Sequence, residues 1–71
     1  MRELFRYKKA ERTRAYQLKV LGEDNAELWV VAEGGRKRRS RMLLTFTNPD
    51  DTAPFLESIE QELRAGGWAE C

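Results

Sequence analysis

Seventy-one residues, 35% charged and 41% hydrophobic, make one globular domain spanning residues 1–71 and leave no room for a second. The absence of histidine removes every Ser-His or Cys-His pair and any imidazole base near neutral pH, so no catalytic site is expected. A lone cysteine, Cys71, excludes an internal disulfide and, without histidine, the ligand set of a structural zinc site; no metal or cofactor is expected.

In chain order, residues 3–9 carry aromatic and apolar side chains without helical spacing, which predicts a first strand. Residues 14–21 alternate, with Tyr16, Leu18 and Val20 on one side and Ala15, Gln17 and Lys19 on the other, as a half-buried strand requires. Gly22-Glu23-Asp24-Asn25 supplies a turn. Residues 27–33 are β-branched and aromatic and predict a third strand. Gly34-Gly35 fits a tight hairpin. A fourth strand follows over about 37–47, with Ser40, Met42, Leu44 and Phe46 on one face and Arg39, Arg41, Leu43 and Thr45 on the other. The period then changes. Asn48-Pro49-Asp50-Asp51 reads as a turn, Asp51 or Thr52 as the helix N-cap, and Pro54 as part of the first helical turn. Phe55, Leu56, Ile59 and Leu63 form one apolar stripe. Gly66-Gly67 ends the helix, and Trp68 is placed to fold back onto its apolar face.

The predicted fold is therefore α+β: a four-stranded antiparallel meander followed by one C-terminal helix, β-β-β-β-α. The helix covers one sheet face and leaves the other open. The open face is expected to display Gln17 and Lys19 from the second strand and Arg39 and Arg41 from the fourth. On the third strand either Leu28, Val30 and Ala32 or Trp29, Val31 and Glu33 fits the helix side; in the first case Trp29 stands among cations on the open face.

The formal charge of +1 hides a polarised chain. Residues 1–41 hold twelve Lys/Arg against six Asp/Glu, whereas residues 42–71 hold one Arg against six acids. Five of the eight residues from Gly34 to Arg41 are cationic. Such a run neutralises phosphates, and with interleaved aromatics it makes a platform for single-stranded nucleic acid. Arg36, Lys37, Arg38, Arg39 and Arg41 are the expected phosphate contacts, Lys19 adds charge, and Trp29 or Tyr7 is the expected stacking ring. The bland alternative is a solubilising hairpin whose charges protect a sheet edge. The adjacent acids Asp50-Asp51 and Glu23-Asp24 sit where turns and helix starts favour them and lack the ligand spacing of a calcium loop. Cys71 is given no role.

A domain this small buries only about 60% of its unfolded surface, and with no staple available a homodimer is expected. Apolar runs such as Leu28-Trp29-Val30-Val31-Ala32 are too short to span a membrane. The start, Met1-Arg2-Glu3-Leu4-Phe5-Arg6, lacks the apolar stretch of a signal peptide. A cytoplasmic protein with no membrane partner and no small-molecule substrate is expected.

The stretch Glu33-Gly34-Gly35-Arg36-Lys37-Arg38-Arg39-Ser40-Arg41-Met42-Leu43-Leu44-Thr45-Phe46 resembles the hairpin between the third and fourth strands of the PUR repeat of Pur-alpha-like proteins. In that family an acidic residue closes an apolar strand and is followed by Gly-Gly-Arg-Lys-Ser-Arg and a second apolar strand. Pro54-Phe55-Leu56-Glu57-Ser58-Ile59 is similar to the family's helix, and Arg12-Thr13-Arg14-Ala15-Tyr16-Gln17-Leu18-Lys19-Val20 to its second strand. The resemblance covers residues 3–65. It implies a β-β-β-β-α repeat completed by an intertwined homodimer, and binding of single-stranded DNA or RNA on the sheet without catalysis. The turn Leu21-Gly22-Glu23-Asp24-Asn25 departs from the family by placing acids where cations are usual. A weaker resemblance, through Trp29 to Arg36 and Leu63 to Trp68, is to the WGR domain, whose signature tryptophan is replaced here by Gly34; it too points to nucleic acid. The competing function is a protein-interaction module whose basic hairpin docks an acidic protein partner, motivated by the acidic C-terminal third.

Overall fold

A computed structural model describes residues 2–47 and 51–71. Strands β1 (Arg2–Lys9), β2 (Arg12–Val20), β3 (Ala26–Gly34) and β4 (Lys37–Phe46) precede helix α1 (Thr52–Ala65), and a short strand β5 (Ala69–Glu70) follows it. The predicted meander and helix are present. The predicted turn residues Asn48, Pro49 and Asp50 lie outside the described residues.

The fifth strand is an addition to the expected architecture. After the helix the chain returns to the far side of the sheet and pairs antiparallel with β1, Tyr7 opposite Glu70 and Lys8 opposite Ala69. Cys71 extends this by donating its backbone N–H to the Arg6 carbonyl at 2.9 Å. The sheet order is β4-β3-β2-β1-β5, so β5 covers the β1 edge at Tyr7 and Lys8, and β4 is the edge along its whole length on the other side. Edge cations on β4 suit that position, because charge discourages edge-to-edge pairing.

Tight turns close the hairpins. Between β3 and β4 the two-residue loop is Gly35-Arg36, with Gly35 at φ +61°, as a type II′ turn requires of its first position. Between β1 and β2 the equivalent place is held by Ala10 at φ 53°, a left-handed conformation that costs an L side chain energy. At the helix end, Gly67 adopts φ +88°. Its N–H reaches the Arg64 carbonyl at 3.1 Å, and the Trp68 N–H reaches that of Leu63 at 2.9 Å. This is a Schellman motif, with Trp68 and Leu63 as its apolar contact.

The helix packs diagonally on one face. Phe55 in its first turns meets Phe46 on β4, ring centroids 6.0 Å apart. Farther along, Glu60 accepts a 2.9 Å hydrogen bond from the Tyr7 hydroxyl on β1. Tyr7, Tyr16, Leu28, Phe46 and Leu63 form the buried cluster, with Leu56, Ile59 and Trp68 packed against it. The Leu28 set of β3 therefore faces the helix, and Trp29 lies on the open face. No helix among the described residues is long and apolar enough to cross a membrane.

Candidate functional site

Which face carries the cations is decided by one residue. Leu28 pairs with Leu44 but Trp29 pairs with Met42, so Leu43 is an extra residue in β4, a β-bulge. A bulge breaks the alternation of sides along its strand. Leu44 and Phe46 lie on the helix-bearing face, and on the other side of the bulge Arg39 and Arg41 lie on that same face, not on the open one as expected from uninterrupted alternation. Register partners confirm the side: Arg41 stands beside Val30 and Tyr16, and Arg39 beside Ala32 and Arg14.

The helix covers the half of this face nearer Phe46 and Tyr7 and leaves the hairpin end of β2, β3 and β4 uncovered. There Arg12, Gly34 and Lys37 form one cross-strand row, Arg14, Ala32 and Arg39 the next, and Tyr16, Val30 and Arg41 the third. The result is a trough. Gly34, Ala32 and Val30 make a low floor along β3, with Arg12 and Arg14 on one bank and Lys37, Arg39 and Arg41 on the other. The concavity around Val30, Arg39 and Arg41 encloses about 570 Å³. A second, of about 220 Å³, continues it past Arg12 and Lys37 to Trp68. Arg14, Ala32 and Arg39 line both.

Among the described residues no carboxylate is within ion-pair distance of these five cations. Of the helix glutamates, Glu60 is directed to Tyr7, whose hydroxyl donates to it. Arg14 instead lies over the indole of Trp68, its guanidinium carbon 4.6 Å from the ring centroid. Lys9 is drawn to the helix C-terminus, donating to the Gly66 carbonyl at 2.6 Å, where a cation also suits the helix dipole.

The open face is balanced by comparison. Arg6 pairs with Glu3 at 2.8 Å, and that hydrogen bond, then the carboxylate charge, raises the Arg6 guanidinium above its ordinary pKa. Arg38 lies 3.5 Å from Glu33. Lys19 stands in register with Glu27, whose carboxylate accepts from the Trp29 indole N–H at 3.2 Å. Trp29, Gln17 and Met42 sit on this face in one row.

Of the expected contact residues, Lys37, Arg39 and Arg41 come together in the trough. Arg36 is at the hairpin tip beside it. Lys19, Trp29 and Arg38 are on the opposite face, each next to an acid. Tyr7 is a correction: it is completely buried beneath α1 and presents no ring for stacking. Burial first, and the hydrogen bond to Glu60 second, push its phenol pKa above the usual value. Sequence reasoning missed Arg12 and Arg14 as site residues; their alternation with Thr13 on the strand opposite the basic hairpin is the signal that pointed to them. Comparison with protein-family models, curated proteins and solved structures finds no match.

Proposed function

We propose that this protein binds single-stranded DNA or RNA without catalysing a reaction, and that the trough, not the open face, is the binding surface. The observation that carries this reading is the placement of Arg12, Arg14, Lys37, Arg39 and Arg41 on two banks, with no carboxylate of the described residues within ion-pair distance of them. Holding like charges together costs stability unless an anion occupies the space between them. A polyanionic backbone along the floor satisfies both banks, and the small floor residues let it approach the sheet.

The surface is also larger than a chain of this mass needs. It measures 5305 Å², against about 4600 Å² for a compact monomer of 8.3 kDa. Val20 and Leu21 are 64% and 55% exposed, and Leu44 and Phe55 38% each. Val20, Leu44 and Phe55 lie at the end of the helix-bearing face away from the trough, around Phe46, and Leu21 follows Val20 in the chain. We assign this apolar end to a homodimer contact, which leaves the trough free.

The experiment compares two double variants in a fluorescence-anisotropy titration with a labelled single-stranded oligonucleotide. Arg39→Ala with Arg41→Ala weakens binding strongly, whereas Lys19→Ala with Arg38→Ala on the open face changes it little. Equal effects from the two pairs contradict the placement. Wild-type binding to an acidic protein but to no oligonucleotide supports the docking module instead.

A further inference from the structure

Trp68 is anchored on three sides. Its N–H is fixed to Leu63 by the Schellman motif, its ring packs against the core, and the strand after it is paired to β1. The indole borders the smaller concavity beside Arg12, Lys37 and Arg39. Glu33, the one carboxylate among the described residues lining that concavity, lies beside Arg38 at 3.5 Å. One face of the ring is covered by the Arg14 guanidinium, and Arg14 is also a bank of the larger concavity.

The geometry points to Trp68 as a base-stacking position at the end of the trough, with the Arg14 guanidinium occupying in the free protein the place a nucleobase takes in the complex. The inference rests on the trough being the nucleic-acid surface and adds what it selects. A guanidinium is a planar group that stacks on aromatic faces as a base does, and it also forms forked hydrogen bonds to phosphate. A phosphate entering between Arg14 and Arg39 gives Arg14 a stronger partner than the ring. The vacated indole face then accepts an unpaired base from the same strand. A base locked in a duplex cannot reach it. The ligand class is therefore a strand with at least one exposed base next to its phosphates, not a duplex and not a bare polyanion.

The test uses the whole protein with three probes of equal length at one low salt concentration: oligothymidylate, an abasic oligomer with the same backbone, and a duplex. Oligothymidylate is expected to bind the wild type at least about tenfold more tightly than the abasic strand, the scale of one base–aromatic stack. In a Trp29→Phe variant, where Trp68 is the sole tryptophan, the base-bearing strand quenches the emission and the abasic strand does so much less. Trp68→Leu, which keeps an apolar side chain against Leu63, removes the preference for base-bearing over abasic strands. The wild-type comparison stands if that variant fails to fold. Abasic and base-bearing strands binding equally well, both with steep salt dependence, overturn the role of Trp68 alone. Binding of none of the probes overturns the trough itself and this inference with it.

Discussion

Arg14 and Arg39 stand in register on either side of Ala32, two like charges on one face, neither within ion-pair distance of a carboxylate among the described residues. Two strand spacings separate their backbones, about 10 Å, and at that range the repulsion in water is worth about 0.4 kcal/mol. Replacing Arg39 with Gln removes it. The variant is expected to be more stable than wild type by a few tenths of a kcal/mol in low salt, and the difference to vanish near 1 M salt, where the screening length is about 3 Å. Urea denaturation at the two ionic strengths measures this. A loss of stability in Arg39→Gln at low salt contradicts an unpaired guanidinium.

Tyr7 links the helix to the first strand, and its burial and its bond to Glu60 raise the phenol pKa above 10.0. The neutral phenol is the form the fold prefers. That contribution is complete below the unfolded-state pKa near 10 and is lost as the pH rises through the higher folded value. Wild-type stability is expected to fall from about pH 10 upward. Tyr7→Phe starts lower at neutral pH by the net worth of one hydrogen bond and lacks this part of the alkaline decline. Denaturation midpoints of both proteins between neutral pH and pH 11 test it, and parallel profiles count against the assignment.

Ala10 is strained where Gly35 is not, although the two hold equivalent places in two-residue hairpin loops. Ala10→Gly relieves a left-handed conformation worth about 1–2 kcal/mol and gives back part of it as greater freedom of the unfolded chain. A net gain of about 0.5–1 kcal/mol is expected, a rise of roughly 2–8 °C in Tm for a domain of this size. An unchanged or lower Tm refutes the strain.

Val20, Leu21, Leu44 and Phe55 give the proposed dimer contact a specific test. Val20→Asp places a charge in the centre of that apolar end, and sedimentation equilibrium is expected to show a monomer where the wild type shows a dimer. Val20 is 64% exposed, so the substitution does not disturb the core of the single chain. A monomeric wild type removes the assignment.

Much of the architecture was legible because period and turn chemistry agreed with it. Tyr16, Leu18 and Val20 alternate, and Leu56, Ile59 and Leu63 recur at helical spacing; each became the element it predicts, whereas the hairpin expected at Gly34-Gly35 turns one residue later, at Gly35-Arg36, with Gly34 still paired in β3. Ala69-Glu70 gave no such signal, since two residues carry no period and their pairing with β1 is set by where the helix delivers the chain. The site was misplaced by one residue. Leu43 reads like any other apolar residue in its strand, yet as a bulge it puts Arg39 and Arg41 on the face of Phe46. The alternation of Arg12 and Arg14 about Thr13 puts both on one face of β2, but only the fold sets that face beside the hairpin. Nothing in residues 3–9 tells which end of the sheet the helix crosses, so the burial of Tyr7 is not legible there.

The most direct test of the trough is the salt dependence of wild-type binding to a single-stranded oligonucleotide. Five phosphate contacts predict a slope of log K against log salt of about −3.5, falling by about 1.4 when Arg14 and Arg39 are both replaced by Ala. A slope near zero, or one that the double replacement leaves unchanged, contradicts the account.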